Sequence, residues 1–276
     1  MERSKQALEQ AARERDSAPD PAGRRTDSVR TLNGAAAAGY VPPAEVRYTA
    51  TKTIQVSLAT RERNRLAASI PGHPLRDTYR MLRTRVLQEL KANSWNSIAV
   101  TSPSSGCGKT LTAINLAISL AMDHSHLVLL VDGDMRKPSV HTYFDYQPEF
   151  GIHDCISDDV PLSDALFHPG IDRLTVLPGR SSIDESAELL SSPKARSLIE
   201  DVRSRYADRI IVVDVPPVLS VDDALTLAPN IDCMLMVTEN GGTTRDELYR
   251  ALDLLDGIPV LGTVLNKSDT KVKTPY

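Results

Sequence analysis

A glycine-rich loop between an apolar run and a helix-like run most limits what this chain can fold into. The loop has the sequence TSPSSGCGKT at residues 101–110. Gly106 and Gly108 let backbone N–H groups curl around phosphate oxygens. Lys109 supplies an ammonium for those oxygens, and Thr110 supplies a hydroxyl for Mg²⁺. The sequence therefore predicts the phosphate-binding loop of a nucleotide-binding α/β protein.

The match to the loop pattern G-x-x-x-x-G-K-[ST] is incomplete, because Pro103 stands where its first glycine normally lies. The loop alone is therefore a moderate signal. The loop residues expected to contact the nucleotide are Ser105, Gly106, Cys107, Gly108, Lys109, Thr110 and Leu111.

Aspartates follow two further apolar runs, at the points where predicted strands end. Asp132 and Asp134 follow the run 127–131, and Asp214 follows the run 209–213. Residues two apart on an extended segment point to the same side, so Asp132 and Asp134 are predicted to face one pocket. One carboxylate is expected to take a proton and another to hold magnesium. A single aspartate here is commonly a turn or cap residue, but three in this order after a phosphate loop favour a site.

The alternation of strand-like and helix-like segments predicts an α/β fold with a doubly wound, mostly parallel sheet, the architecture of P-loop NTPases. Right-handed crossovers would place Lys109, Asp132 and Asp214 at one edge of it. Residues 1–70 are predicted to be a largely disordered extension, of which 51–60 could add a strand or wrap the domain. Residues 71–269 are predicted to be the catalytic domain, and 270–276 a flexible tail. The predicted strands are 97–100, 127–131, 173–177, 209–213, 233–238 and 260–265, and the predicted helices include 111–122, 193–206 and 245–255.

Composition excludes several other classes of protein. A net charge of −4, a pI of about 5.9 and 4% aromatic residues argue against nucleic acid as a partner. Three scattered cysteines and six scattered histidines give neither a disulfide framework nor a metal-ligand repeat. The sequence holds no apolar run long enough for a membrane span, which predicts a cytoplasmic protein.

The loop, the segment VDGDMRKP at 131–138 and the segment VVDVPP at 212–217 together resemble the bacterial tyrosine kinases (BY-kinases) of capsule and exopolysaccharide synthesis. These kinases share their fold with septum-site and partition-type ATPases. The resemblance covers residues 75–269. Partition-type ATPases carry a lysine early in the loop, where this chain has Ser104, so the kinase branch is favoured.

The resemblance implies an ATP- and Mg²⁺-dependent protein tyrosine autokinase. It implies catalytic roles for Lys109, Asp132 and Asp134, with magnesium held by Thr110, Asp132 and Asp214. Arg136 and Asn266 are the remaining nucleotide contacts that it implies. The run NKSD at 266–269 also matches the guanine-reading motif of GTPases, but the D-x-x-G that such enzymes need is DVPP here.

The resemblance also implies partners. Family members without a membrane span act with an inner-membrane polysaccharide copolymerase, which would place this chain peripherally at that membrane. Asp77, Arg80 and Arg83 are similar to a charged helix through which family members form rings. Without the resemblance, such charges are usually a solvated helix face. The apolar stripe of the same helix, expected to pack on the sheet, is Tyr79, Leu82, Val86 and Leu90.

The carboxyl end departs from the family pattern, because a single tyrosine stands where a tyrosine cluster is common. Tyr276 is the candidate phosphoacceptor, delivered by the short polar tail to a neighbouring copy. The missing cluster leaves two alternatives open. One is an ATP-binding switch or scaffold of polysaccharide export that phosphorylates nothing, and the other is a partition-type ATPase.

Overall fold

The computed structural model describes residues 51–204 and 209–268. Within them, eight strands form a sheet with the order β1-β4-β5-β3-β6-β2-β7-β8. Neighbouring strands run parallel except β4 and β5, which are antiparallel. The strands are β1 (Lys52–Thr53), β2 (Ser97–Thr101), β3 (Leu127–Asp132), β4 (Phe167–His168), β5 (Leu174–Leu177), β6 (Arg209–Asp214), β7 (Cys233–Glu239) and β8 (Val260–Asn266).

Helices connect most of these strands, as parallel neighbours require. The α-helices are α1 (Leu58–Arg63), α2 (Arg76–Asn93), α3 (Lys109–Ala121), α4 (Ile152–Ser157), α5 (Leu162–Ala165), α6 (Ser186–Ser191), α7 (Pro193–Ser204), α8 (Asp223–Leu227) and α9 (Arg245–Leu254). Short 3₁₀ helices span Ala67–Ser69, Val140–Phe144 and Ala228–Asn230.

The sheet is doubly wound because its central strands are apolar on both faces. In β2, the buried side chains of Ile98 and Val100 pack into one hydrophobic cluster, with α2 and α3. Ala99 points the other way, into a second cluster that contains residues from α4 to α9. Burial on both faces explains why the central strands are continuous apolar runs rather than alternating ones.

Strand register brings the predicted site residues to one edge. β6 lies between β2 and β3. Asp132, the last residue of β3, pairs directly with Asp214, the last residue of β6. Val100 of β2 also pairs with Asp214, one residue before that strand ends. The phosphate loop thus leaves the sheet beside both aspartates, at the carboxyl edge where such sheets bind ligands.

The predicted α/β fold class is confirmed, and the six predicted strands correspond to β2, β3, β5, β6, β7 and β8. The sequence analysis missed β4, and for residues 51–60 it left a strand or a wrapping segment open. Both β1 and β4 have two residues, which is too short for a periodic pattern to show.

The predicted boundary at residue 70 is wrong for residues 51–70, which were expected to lie in the extension. They contribute β1, α1 and the buried side chains of Leu66, Ala67 and Ala68. Folding of this stretch depends on contacts with α3, far along the chain, which a local pattern does not report. The rest of the predicted extension, residues 1–50, lies outside the described residues, as does the tail with Tyr276.

Helix α2 follows the predicted stripe. Val86 and Leu90 are buried, and Tyr79 and Leu82 pack against the same cluster. That cluster contains Ile98 and Val100 of β2 as well as apolar residues of α3, so the stripe faces the core as predicted. Among the helices of residues 51–204 and 209–268, none is both long and apolar enough to cross a membrane.

Candidate functional site

The phosphate loop opens α3 with two glycines in the left-handed region. Gly106 has φ 86° and Gly108 has φ 87°. The backbone conformation calls for glycine at 108, and a Cβ there would also displace the side chain of Asn266, whose Nδ2 would lie 2.2 Å from it. The first N–H groups of α3 have no partner within the helix, and together with the helix dipole they favour an anion at this end.

Hydrogen bonds to its backbone carbonyls hold both ends of the loop. Val218 N–H donates to the carbonyl of Ser102 (2.9 Å), and Leu219 N–H donates to that of Pro103 (3.1 Å). Nδ2 of Asn266 donates to the carbonyl of Cys107 (2.9 Å). Asn266 therefore braces the loop, and its predicted contact with the base remains a prediction.

Lys109 joins the carboxylate that ends β6 to one in the loop after β3. Its Nζ lies 2.8 Å from Oδ2 of Asp134 and 3.3 Å from Oδ1 of Asp214. Burial alone would lower the pKa of Lys109, but the negative charges of Asp214 and Asp134 outweigh it and raise that pKa. The ammonium is therefore permanently charged and within reach of anionic groups at the loop.

Thr110 contacts the same carboxyl group of Asp214. Its hydroxyl donates to Oδ2 of Asp214 at 2.6 Å, and that carboxylate is fully buried. Burial raises the pKa of Asp214, while Lys109 and the Thr110 hydroxyl oppose that rise. A hydroxyl and a carboxylate in contact beside a phosphate loop are the pair that P-loop enzymes use for magnesium.

Asp132 is fully buried, and only one of its two carboxyl oxygens accepts hydrogen bonds from the described residues. Oδ2 accepts hydrogen bonds from the N–H groups of Ser139 (2.9 Å) and Val140 (3.0 Å). Oδ1 has no hydrogen-bond partner among the described residues. Burial, and then the charge of Asp214, raise the pKa of Asp132 to about 8. A proton at this group therefore exchanges near neutral pH, as general acid–base chemistry requires.

The donor set fits a hard divalent cation. Carboxylate and hydroxyl oxygens are the ligands that Mg²⁺ prefers, and Asp132, Asp214 and Thr110 offer them at one sheet edge. The unpartnered Oδ1 of Asp132 is costly to bury unless something binds it, which also favours a bound cation or proton donor at this point.

Arg136 does not join this cluster. Its Nε lies 3.4 Å from Oδ1 of the fully buried Asp223, and its guanidinium also lies 3.8 Å from Oδ1 of Asp222. These contacts occupy the side chain that was predicted to contact the nucleotide. That contact stays a prediction.

The predicted oligomer contacts lie on α2, away from this cluster. Asp77 and Arg80 are exposed and pair with each other at 2.9 Å. Arg83 instead donates to the carbonyl of Ser119, near the end of α3, at 3.0 Å. Tyr276, the candidate phosphoacceptor, is outside the described residues. The structure thus brings together five predicted site residues, which are Lys109, Thr110, Asp132, Asp134 and Asp214.

Sequence analysis missed Asn115, which is fully buried in α3. Its Oδ1 accepts from the N–H of Ala68 (2.9 Å), and its Nδ2 donates to the carbonyls of Arg65 (3.1 Å) and Leu111 (3.0 Å). A polar residue inside the apolar helix sequence LTAINLAISLA was the one available signal, because buried amides need partners. It ties residues 65–68 to the helix that carries Lys109.

Comparison with known proteins agrees with this geometry. A family profile described as AAA domain matches residues 95–240, which include the loop and all three aspartates. The chain therefore belongs to this class of nucleotide-binding proteins. Its relatives narrow the class. The tyrosine-protein kinase YwqD of Bacillus subtilis is 30% identical over 217 residues, which are 78% of this chain and 90% of YwqD.

The putative tyrosine-protein kinase CapB of Staphylococcus aureus is 28% identical and covers 75% of this chain and 90% of its own. The chain spans 27% of the putative tyrosine-protein kinase EpsB of Ralstonia nicotianae, at 30% identity. Among solved structures, the chimerical protein CapA2B2 superposes with a TM-score of 0.69 and 26% identity, over 79% of this chain and 94% of that one.

The septum-site-determining protein MinD of Pyrococcus horikoshii, complexed with Mg-ADP, has a TM-score of 0.53 at 23% identity, over 63% of this chain and 72% of its own. That likeness shows a shared fold. Together with YwqD and CapB, the site geometry identifies the particular family. The chain belongs to the bacterial tyrosine kinases, as its sequence motifs predicted.

Proposed function

We propose that this chain transfers the γ-phosphoryl group of ATP to tyrosine hydroxyls of protein, including its own, in a capsule or exopolysaccharide system. One observation carries the proposal. Lys109 bridges Asp134 and Asp214 at the phosphate loop, while the half-occupied carboxyl group of Asp132 lies in register beside Asp214. This set matches what phosphoryl transfer demands, which is mostly positioning and charge stabilisation.

Lys109 and the loop would bind the nucleotide. The backbone N–H groups after Gly106 and Gly108 face an anion, and the Nζ of Lys109 neutralises charge on the transferred group. A phosphate would compete with Asp134 and Asp214 for this ammonium, since both carboxylates lie within 3.3 Å of it. Binding of ATP would therefore rearrange the hydrogen bonds of Lys109.

Asp132 would act as the general base. In the ionised form its Oδ1 would accept the proton of a tyrosine hydroxyl, while two backbone N–H groups hold Oδ2. The raised pKa of Asp132, about 8, lies closer to the ordinary tyrosine value of about 10 than that of a typical aspartate does. A base and an acid with closer pKa values exchange a proton more readily.

Mg²⁺ would be held by Thr110 and Asp214, with Asp132 binding it through a water so that Oδ1 can still take the proton, and when bound the ion would offset the negative charge of the phosphates. Asp134 would support this arrangement by fixing Lys109, to which it lies 2.8 Å away. Asn266 and Arg136 remain the proposed additional nucleotide contacts.

We further propose an inner-membrane polysaccharide copolymerase as the activating partner, which would hold the chain peripherally at the membrane. Assembly of copies through Asp77, Arg80 and Arg83 would let Tyr276 of one copy enter the site of another. These proposals rest on the family resemblance and on the exposure of Asp77 and Arg80.

The test maps phosphotyrosine by mass spectrometry on the purified full chain after incubation with ATP and Mg²⁺. Lys109→Ala should reduce tyrosine phosphate by about a hundredfold or more, because it removes the charge that stabilises the transferred group. Lys194→Ala is the matched control, since Lys194 also pairs with an aspartate (Asp159, 2.8 Å) but is exposed and distant in sequence from the loop.

Phosphate on tyrosine in wild type and in Lys194→Ala, but not in Lys109→Ala, supports the kinase. Unmodified, well-covered tyrosines in all three proteins, with nucleotide binding intact in wild type, would instead favour the ATP-binding switch. To avoid missing a partner-dependent activity, the same three proteins are compared after isolation from cells that are making polysaccharide.

A further inference from the structure

A short 3₁₀ helix connects the candidate base to a second anchor point. The helix Val140–Phe144 begins at the N–H groups that hold Oδ2 of Asp132, those of Ser139 and Val140. It ends at Asp145. The position of the Asp132 carboxyl group therefore depends on where this turn lies, since a shift of the turn would move both donors.

Asp145 is held by side chains from α1 and its carboxyl-terminal cap. It has φ 52°, in the left-handed region, which aspartate and asparagine adopt more readily than other residues that carry a Cβ. Oδ2 accepts from the hydroxyl of Thr60 (2.8 Å) and from the guanidinium of Arg63. Nδ2 of Asn64 donates to the carbonyl of Tyr143 (2.9 Å) and lies 3.5 Å from Oδ1 of Asp145. Contacts from three side chains, those of Thr60, Arg63 and Asn64, thus fix the end of the turn.

The same amino-terminal segment is fixed to α3. Directly after α1, the carbonyl of Arg65 and the N–H of Ala68 bind the side chain of Asn115. Residues 57–68 therefore contact both halves of the candidate site. One half is the helix that begins with Lys109, and the other is the turn that orients Asp132.

We propose that Asp145 is a positioning residue for phosphoryl transfer, through which α1 sets the place of Asp132 relative to Lys109. The inference rests on the proposed kinase function for its catalytic consequence. The Arg63 and Asp145 side chains are 64% and 43% exposed, and ion pairs this exposed add little to global stability. The effect is therefore expected in the rate of the chemical step rather than in folding.

Asp145→Ala tests this in steady-state autophosphorylation. We expect kcat to fall by about tenfold to a hundredfold, because a small displacement of a reacting group is costly. KM for ATP should stay within about twofold, since the loop is not touched. Asp145→Asn keeps an acceptor and a residue type that tolerates this backbone conformation, so it should recover part of the lost rate.

Asp159→Ala is a matched control. Asp159 also has a positive φ, 55°, and also binds a cation, Lys194 at 2.8 Å, and among the described residues its side-chain hydrogen bonds go to Lys194 and not to the turn after Asp132. Equal kcat losses in Asp145→Ala and Asp159→Ala would mean that the change acts through general destabilisation, which overturns the inference. So would an unchanged kcat in Asp145→Ala.

Hydrogen exchange gives a readout that needs no activity. Without nucleotide, the amides of Ser139 and Val140 should exchange at least about tenfold faster in Asp145→Ala than in wild type or Asp159→Ala, because the turn loses its distal anchor. We call the contacts of Thr60, Arg63 and Asn64 with the end of this turn the brace. Unchanged exchange refutes a role of the brace in holding the turn, even if the protein proves to be no kinase. Faster exchange with no phosphotransfer in wild type would leave the brace standing and remove the proposed function.

Discussion

Two groups of charged residues in this chain differ in their exposure to water. At the ends of β3 and β6, Asp132 and Asp214 are fully buried, and Lys109 is nearly so. On α2, Asp77 and Arg80 pair at 2.9 Å with side chains that are 75% and 50% exposed. The sequence pattern singled out both groups, although their surroundings could hardly differ more.

The difference in burial decides which group of charges needs a functional explanation. Burying three carboxylates beside a single ammonium costs free energy, and one oxygen of Asp132 even lacks a partner within the described chain. A protein retains such a costly cluster of charges when the cluster binds a ligand. The exposed pair on α2 costs almost nothing and so gives no such argument, and its role has to be shown by assembly.

The strongest way to break this contrast is Asp214→Asn, compared with Asp77→Asn. Replacing the buried carboxylate removes a charge that Lys109 and Thr110 both contact, so tyrosine phosphorylation should fall by about a hundredfold or more. The measurement is the initial rate of phosphotyrosine formation at saturating ATP. With an added tyrosine-containing peptide as the acceptor, so that no second copy is needed, Asp77→Asn should retain most of the rate, and equal losses would contradict the contrast.

A second test uses pH. Because the pKa of Asp132 rises from 3.8 to about 8 on folding, the folded protein retains a proton that the unfolded chain releases. The retained proton adds to the free energy of unfolding. This stabilisation is complete below pH 4 and is lost as pH rises toward 8, with a slope of up to about 1.4 kcal/mol per pH unit.

Asp132→Asn should remove this slope, so the variant gains stability relative to wild type between pH 5 and pH 8. Urea unfolding without nucleotide or metal at several pH values measures it, with Asp77→Asn as the control. If the free energy of unfolding changes with pH in the same way for Asp132→Asn and wild type, burial does not raise the pKa of Asp132 as described.

A third prediction concerns the segment that links the two halves of the site. Asn115→Ala leaves the N–H of Ala68 and the carbonyl of Arg65 without their partner, and should lower the free energy of unfolding by about 2 kcal/mol. Asn93→Ala removes an exposed amide that donates to the carbonyl of Glu89, and should change it by less than about 0.5 kcal/mol. Equal effects would mean that residues 65–68 are not anchored through α3.

Sequence reasoning found the buried cluster because each of its residues carries a local signal. Lys109 and Thr110 follow glycines at a strand-to-helix turn, and Asp132, Asp134 and Asp214 each follow an apolar run. Parallel strands then bring these ends together by topology alone.

The brace between α1 and Asp145 carries no such signal. Its contacts join residues about 80 positions apart in the chain, and Asp145 resembles any polar residue that ends a turn. The same reason explains the misplaced boundary at residue 70, since two-residue strands and a six-residue helix leave no period to detect.

The smallest predicted effect concerns the exposed pair on α2. Asp77→Asn and Arg80→Gln should each change the free energy of unfolding by less than about 0.5 kcal/mol, because water screens the pair. If α2 joins copies, the same substitutions should reduce the assembled fraction, measured by light scattering after size-exclusion chromatography, and added salt should mimic them.

Arg83 is the unsuitable probe of the three, although the sequence pattern groups it with the others. Its guanidinium donates to the carbonyl of Ser119 within the same chain, so Arg83→Gln would lower stability by about 1 kcal/mol whether or not copies assemble. A loss of assembly in that variant alone would therefore report on the packing of α2 against α3. Loss of assembly with unchanged stability in Asp77→Asn and Arg80→Gln is what assigns this face to a contact between copies, and unchanged assembly in both would return it to solvent.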